Sequence, residues 1–365
     1  MRPVFLLRRA QSFPSPDDIV HRQLHYSGLL FLADQGCMHQ LDRKKIVYLF
    51  GAGATHAELQ NIEPDLIPEK RGLLIKDVSS RVIEKARSES KYLKDVAMVS
   101  GTGGSLNIEL LISLIENSKI HDWEYKTRRL KTLVQHDIEK ILVKSRTRRF
   151  YLHKSLFELH EHPATRAREQ LIALISLNYD NILDQAYEQY HGRPHYCFSL
   201  EDRAATPDIP LLKLHGSFNW KRQTIRGRKR TIEIIPLGST KNYLHAPYGF
   251  IWNRALETLI ECDTLRVIGC SLSPNDAHLI DLLFKAHLER GTAFDIEIIG
   301  SDQTGRGIRG NYGFFPGIRT LSELEEHLIP DAAPDNPFKT WLKYKSIAVV
   351  GDDVKETHYL KKVVR

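Results

Sequence analysis

The chain alternates short, nearly continuous apolar runs with longer stretches whose apolar residues recur at helical spacing. The first run, Lys44-Lys45-Ile46-Val47-Tyr48-Leu49-Phe50, stops at Gly51-Ala52-Gly53. Residues 171–177 stop at Asn178-Tyr179-Asp180, residues 211–214 at His215-Gly216-Ser217, residues 264–268 at Gly269-Cys270-Ser271, and residues 295–299 at Gly300-Ser301-Asp302. A short apolar run bounded by small or polar residues is the pattern of a strand buried on both faces, as in a parallel sheet covered by helices. Ligands of open α/β sheets bind outside the carboxyl ends of the strands, so five polar strand ends predict one shared cleft.

Between the first two runs, residues 54–150 are predicted to be mostly helical. Leu106, Leu110, Leu111, Leu114 and Ile115 recur at helical spacing, as do Leu130, Leu133, Val134, Ile138, Ile141 and Leu142. A further helix is expected through Ile182, Leu183 and Ala186, and another over 276–290, closed by Gly291 as its C-cap. Residues 24–33 suggest a short helix, 231–235 a strand, and 346–364, turning at Gly351-Asp352-Asp353, a hairpin. The expected fold class is α/β: a Rossmann-like parallel sheet with an inserted helical lobe and a C-terminal tail that can form a hairpin. The expected organisation is an N-terminal extension over 1–40, one domain over 41–330 with its helical lobe at about 85–165, and a tail over 331–365 set off by Pro330, Pro334 and Pro337.

Composition narrows the chemistry. The chain has 365 residues and a formal net charge of +7, which favours phosphate-bearing partners. Four cysteines, at 37, 197, 262 and 270, form no C-x-x-C pair, so no cysteine-based metal site, and no bound metal, is expected. Scattered cysteines, an apolar start too short for a signal peptide, and no stretch near the ~20 apolar residues of a membrane helix predict a soluble cytoplasmic protein without membrane contact. Aromatic interleaving is sparse in the basic clusters around Arg128-Arg129, Arg148-Arg149 and 221–230. They read as solvated faces, so direct nucleic-acid binding is not expected.

The strand ends hold the candidate residues. Gly51-Ala52-Gly53-Ala54-Thr55 follows a strand and opens a helix, where backbone N–H groups can approach a diphosphate; it is not G-x-G-x-x-G, because His56 stands at the third glycine position. No G-x-x-x-x-G-K-[ST] is present, which argues against a P-loop ATPase. His215 can titrate near neutrality and act as a base, or be a packed structural histidine. Asn178 can place a water, and Asp180 can accept from a carboxamide or cap the following helix. Gly269 and Ser271 can contact phosphate and Asp302 a ribose, or all three can serve turn chemistry.

Taken in order, these motifs resemble the sirtuin family, over roughly residues 44–302. The Asn178-Tyr179-Asp180 form and the run Lys213-Leu214-His215-Gly216-Ser217 to Trp220 resemble bacterial sirtuin-like domains of anti-phage defence. The resemblance implies NAD as substrate: Asn178 would position the attacking water, Asp180 hold the nicotinamide amide, and His215 polarise a ribose hydroxyl. Gly51, Ala52, Gly53, Thr55, Tyr179, Gly269, Cys270 and Ser271 would bind the cofactor, with Asp302 at the adenosine ribose. Sirtuin deacylases carry a four-cysteine zinc module after the His-Gly; here 221–230 contains no cysteine, and Leu177 replaces the family's Gln. Hydrolysis of NAD to nicotinamide and ADP-ribose is therefore expected over protein deacylation. The alternative of another class is a silent adenine-nucleotide sensor that regulates a partner. The resemblance further implies a homo-oligomer and a HerA-type ATPase partner.

Overall fold

A computed structural model describes residues 43–62, 72–89, 93–94, 107–145, 151–204, 209–225, 228–230, 243–272, 276–299, 308, 310–315 and 318–320, all within one compact unit, Leu41–Arg365. The expectations for 24–33, 231–235, the 346–364 hairpin, the 300–302 strand end and both terminal segments lie outside the described residues.

Strand β1 (Lys44–Phe50) leads into helix α1 (Ala52–Ile62). Helices α2 (Ile75–Glu89), α3 (Ile108–Ser118), α4 (Trp123–Ser145) and α5 (Tyr151–Glu161) follow, then β2 (Glu169–Ser176), α6 (Ile182–His191) and β3 (Leu211–Lys213). A small antiparallel hairpin, β4 (Gln223–Ile225) with β5 (Arg228–Arg230), precedes α7 (Tyr248–Glu261), β6 (Thr264–Ile268), α8 (Ala277–Arg290), β7 (Asp295–Ile299) and β8 (Ile318–Thr320). The main sheet runs β3-β2-β1-β6-β7-β8 with every pairing parallel. This is the α/β class expected from the apolar runs, with β8 a sixth strand that the sequence pattern did not expose. With the hairpin strands left out of the count, the order is that of a doubly wound sheet. Its topological switch point falls between β1 and β6, where such folds open a crevice.

The strand interiors explain the pattern. All of 46–50, 264–268 and 296–299 are buried, because helices cover both faces and no position needs to be polar for solvent. Buried charges interrupt these apolar stretches: Arg266 on β6 reaches Glu297 on β7 (2.8 Å), Glu169 on β2 (2.7 Å) and the Tyr48 hydroxyl on β1 (3.0 Å). Tyr48 shares a further hydrogen bond with His160 on α5 (2.8 Å). Glu58 on α1 accepts from the backbone N–H groups of Leu152 (3.2 Å) and His153 (2.9 Å) at the start of α5. A carboxylate there satisfies orphan donors and complements the helix dipole, so α1 and α5 are locked together.

Helices α2, α3 and α4 enclose a second core of their own, from Val78 and Val82 to Leu130 and Val134. On α3 the inward set is Ile108, Leu111, Ile112 and Ile115. Leu110 and Leu114, which share the helical spacing, point outward at 40% and 52% exposure. Helix α4 bridges the two cores: Leu130, Leu133 and Val134 pack in the lobe, Ile141 and Leu142 against the sheet. Gly291 closes α8 with φ 69° and its N–H on the Leu288 carbonyl, the expected C-cap.

Candidate functional site

The carboxyl ends of β1 and β6 meet with no room for side chains. A Cβ on Gly51 would lie 2.6 Å from Cys270 Cα and 2.6 Å from the Gly269 carbonyl oxygen; one on Gly53 would lie 2.9 Å from Gly269. Gly269 has φ +65°, and its Cβ would sit 2.1 Å from the Ala54 nitrogen. The contact is fastened by Gly51 N–H to the Ile268 carbonyl (3.0 Å) and Gly53 N–H to the Gly269 carbonyl (2.9 Å). Three glycines thus press the start of α1 against the β6 turn and leave a bare backbone floor, which a phosphate group can approach closely.

This floor opens into a cleft of about 630 Å³, within the ~300–1,000 Å³ range of small-molecule sites. Gly51, Ala52, Gly53, Thr55, Asn178, Tyr179, Asp180, His215, Gly269, Cys270 and Ser271 all line it. Every proposed site residue except Asp302, which lies outside the described residues, is thereby brought to one place. The opposite wall comes from the helical lobe: Leu73 to Val78 at the start of α2, Asn107 and Glu109 at the start of α3, and Val134 and Ile138 on α4. Asp276 before α8 and Ile308 complete it.

Hydrogen bonds orient the polar groups. Asn178 Nδ2 donates to the Gly51 carbonyl (3.0 Å) and to Thr55 Oγ1 (3.0 Å); Thr55 Oγ1 in turn donates to Asp180 Oδ2 (2.7 Å). With the amide nitrogen committed, Asn178 offers its Oδ1 as an acceptor. Asp180 Oδ1 accepts the Ile182 N–H (3.0 Å) at the start of α6. Asp180 therefore holds the first N–H of α6 from one position before the N-cap, which is Asn181 rather than Asp180, and it also lines the cleft. A carboxylate's remaining lone pairs still permit a bond to a ligand amide. His215 Nδ1 lies 3.2 Å from the Leu177 carbonyl. A carbonyl can only accept, so Nδ1 carries a proton in this contact. Tyr179 packs beside His215 and Phe218. Burial first, then the carboxylates of Glu109 and Asp276, push its hydroxyl well above the ordinary tyrosine range, so it remains an O–H donor.

Residues 172–296 match the SIR2-like domain. The matched stretch runs from β2 to β7 and holds Asn178, Asp180, His215 and the Gly269 turn; β1, the Gly51 turn and the helical lobe precede it. Among solved structures, the chain is similar to Sir2Tm bound to a propionylated peptide, at 13% identity, covering 72% of this chain and 84% of that one with a TM-score of 0.34. A Sir2 homolog–NAD complex aligns at 13% identity over 89% of this chain and 92% of that one, TM-score 0.34. A Sir2–p53 peptide–NAD+ structure aligns at 14% identity over 72% and 84%, TM-score 0.33. No curated protein matches the chain.

Sequence reasoning missed the lobe wall of the cleft. Asn107 carried one signal: it is an N-cap, accepting the Glu109 N–H (2.8 Å), and helix N-termini often face ligands. Glu109, Asp77 and Asp276 are single acidic residues near helix starts, and nothing local marks them as cleft-facing. Among the described residues no helix is long and apolar enough to cross a membrane.

Proposed function

We propose that the chain is an NAD+ hydrolase that releases nicotinamide and ADP-ribose. The observation that carries this reading is that Asn178, Asp180 and His215 share one cleft with the glycine floor of Gly51, Gly53 and Gly269 at the switch point of the sheet. The bare floor and the N-terminus of α1 suit the diphosphate. Asp180 accepts a hydrogen bond from the nicotinamide carboxamide. The C1′–N bond breaks with its electron pair passing to the pyridinium nitrogen, which leaves as neutral nicotinamide. Charge then develops on the ribose as an oxocarbenium-like species. Water held by Asn178 Oδ1 attacks C1′, and His215 Nε2 accepts a proton from a ribose hydroxyl or from the water. The balance is NAD+ plus water to nicotinamide, ADP-ribose and a proton.

Water is the proposed acceptor because the segment following His215-Gly216-Ser217, residues 218–230, contains no cysteine, and its described residues form a 3-10 turn, Phe218–Arg222, and the paired strands β4 and β5. A four-cysteine module has no place there. The resemblance to bacterial defence domains extends the proposal to a cytoplasmic homo-oligomer that depletes NAD during phage attack, alongside a HerA-type ATPase.

Purified protein incubated with NAD, with and without an acetyl-lysine peptide, tests the acceptor. Equal nicotinamide and ADP-ribose, independent of peptide, are expected. Nicotinamide release that requires peptide and yields O-acetyl-ADP-ribose would establish deacylation instead, and NAD binding without any product would establish the sensor alternative.

A further inference from the structure

Beneath the loop that carries Asn178 and Asp180 lies a lysine that the reaction above does not use. Lys213 ends β3 and is 1% exposed. Its Nζ donates to three groups: the backbone carbonyl of Asp180, the Asp184 carboxylate (2.8 Å) and Ser217 Oγ (2.7 Å). Ser217 Oγ donates onward to the Tyr179 carbonyl (3.2 Å), which also accepts the Phe218 N–H (2.9 Å). Asp184, in the first turn of α6, is held from its other oxygen by the Tyr196 hydroxyl (2.5 Å) and by Asn219 Nδ2 (3.4 Å). Two successive carbonyls of the β2–α6 loop are thus tied to the end of β3 on the side away from the cleft. The side chains of Asn178 and Asp180 are tied to α1 on the cleft side.

A buried ion pair returns little net stability compared with apolar packing, because both charges lose their water. Here one ammonium satisfies a carboxylate, a hydroxyl and a peptide carbonyl, and its fixed position dictates where the loop sits relative to β3 and α6. We infer that Lys213 is a positioning residue: with Ser217 and Asp184 it clamps the 178–180 loop so that the Asn178 amide and the Asp180 carboxylate face the bound glycosidic bond in reacting geometry. The inference deepens the hydrolase reading and rests on it for the reaction being positioned. The clamp itself has a readout that does not depend on that reading.

The test compares wild type with the charge-balanced double variant Lys213→Met/Asp184→Asn, which leaves no unpaired buried charge and keeps a partner for Tyr196, and with the milder Ser217→Ala. Two quantities are measured on protein shown to be folded by circular dichroism: amide hydrogen exchange over 177–182, and the kinetic constants for nicotinamide release from NAD. The clamp predicts at least tenfold faster exchange confined to that loop. It also predicts a kcat lower by roughly 10²-fold, the scale of a misplaced reacting group, with KM changed little. Ser217→Ala should shift both in the same direction and by less. Wild-type exchange and wild-type kcat in a folded double variant would overturn the inference. Absence of nicotinamide release by wild type would defeat the hydrolase reading alone, and the exchange of the loop amides would then decide the clamp.

Discussion

Replacing Gly269 with alanine separates a close backbone approach from simple backbone strain. Gly269 and Gly291 have nearly the same conformation, φ +65° and +69°, but a Cβ on Gly291 meets nothing within 4 Å, whereas one on Gly269 lies 2.1 Å from the Ala54 nitrogen. Ordinary contact begins near 3.4 Å, so the β6 turn and the start of α1 must part by about 1.3 Å. That movement stretches the Gly51–Ile268 and Gly53–Gly269 hydrogen bonds, which are 3.0 and 2.9 Å long. Each buried bond broken without replacement costs about 1–3 kcal/mol, and the left-handed conformation adds about 1–2 kcal/mol for any residue with a Cβ. Gly269→Ala should therefore lose about 3–8 kcal/mol, a large share of the ~5–15 kcal/mol typical of a folded domain. Gly291→Ala should lose only the strain, about 1–2 kcal/mol. Urea unfolding followed by circular dichroism measures both, and calorimetric titration with NAD measures binding. The floor interpretation requires that Gly269→Ala lose NAD affinity even where it is still folded, while Gly291→Ala retains it. Equal losses of stability in the two variants, or full NAD affinity in Gly269→Ala, would refute the close-approach reasoning.

Three further outcomes are expected. Thr55→Val removes the hydroxyl that links Asn178 to Asp180 while keeping the side-chain shape; nicotinamide release should fall about tenfold or more, with a stability loss of about 1–3 kcal/mol from the unsatisfied carboxylate. A Thr55→Val enzyme with unchanged kcat would break that link. Arg266→Met strands the carboxylates of Glu169 and Glu297 inside the sheet, and urea unfolding should show a loss of about 3–5 kcal/mol; the interaction fails as described if the variant is as stable as wild type at neutral pH. Burial, reinforced by the Arg266 charge, lowers the His160 pKa to about 4 from 6.5. The unfolded chain then binds the proton first as pH falls, so stability present above about pH 6.5 should drain away toward pH 4, by up to about 3 kcal/mol. Unfolding midpoints that stay flat between pH 7 and 4 would contradict it.

Much of the sheet is legible in the apolar runs because a strand covered on both faces needs no polar positions. The ends of β1, β6 and β7 follow directly from where those runs meet a glycine. Strand order is not legible, since pairing β1 with both β2 and β6 joins residues more than a hundred positions apart. β8 is too short, at three residues, to stand out as a period. The residues of the strand ends could be named, and their convergence inferred, from the rule that open sheets bind at their carboxyl edge. The lobe wall could not, because Val134 and Ile138 read as ordinary members of an amphipathic stripe whose turning point between two cores is set by tertiary packing. The partners of Lys213 and Arg266 were not legible either: both sit in runs read as buried strands, but the carboxylates that neutralise them come from segments distant in the chain.

The most direct measurement follows nicotinamide and ADP-ribose by chromatography as NAD is incubated with wild type, Asn178→Ala and His215→Ala. Equimolar products from wild type are expected, with each variant slowed by at least ~10² because water placement and base assistance act on the same step. Wild-type turnover in both variants, or a wild-type protein that neither binds nor consumes NAD, would contradict the assignment of this cleft.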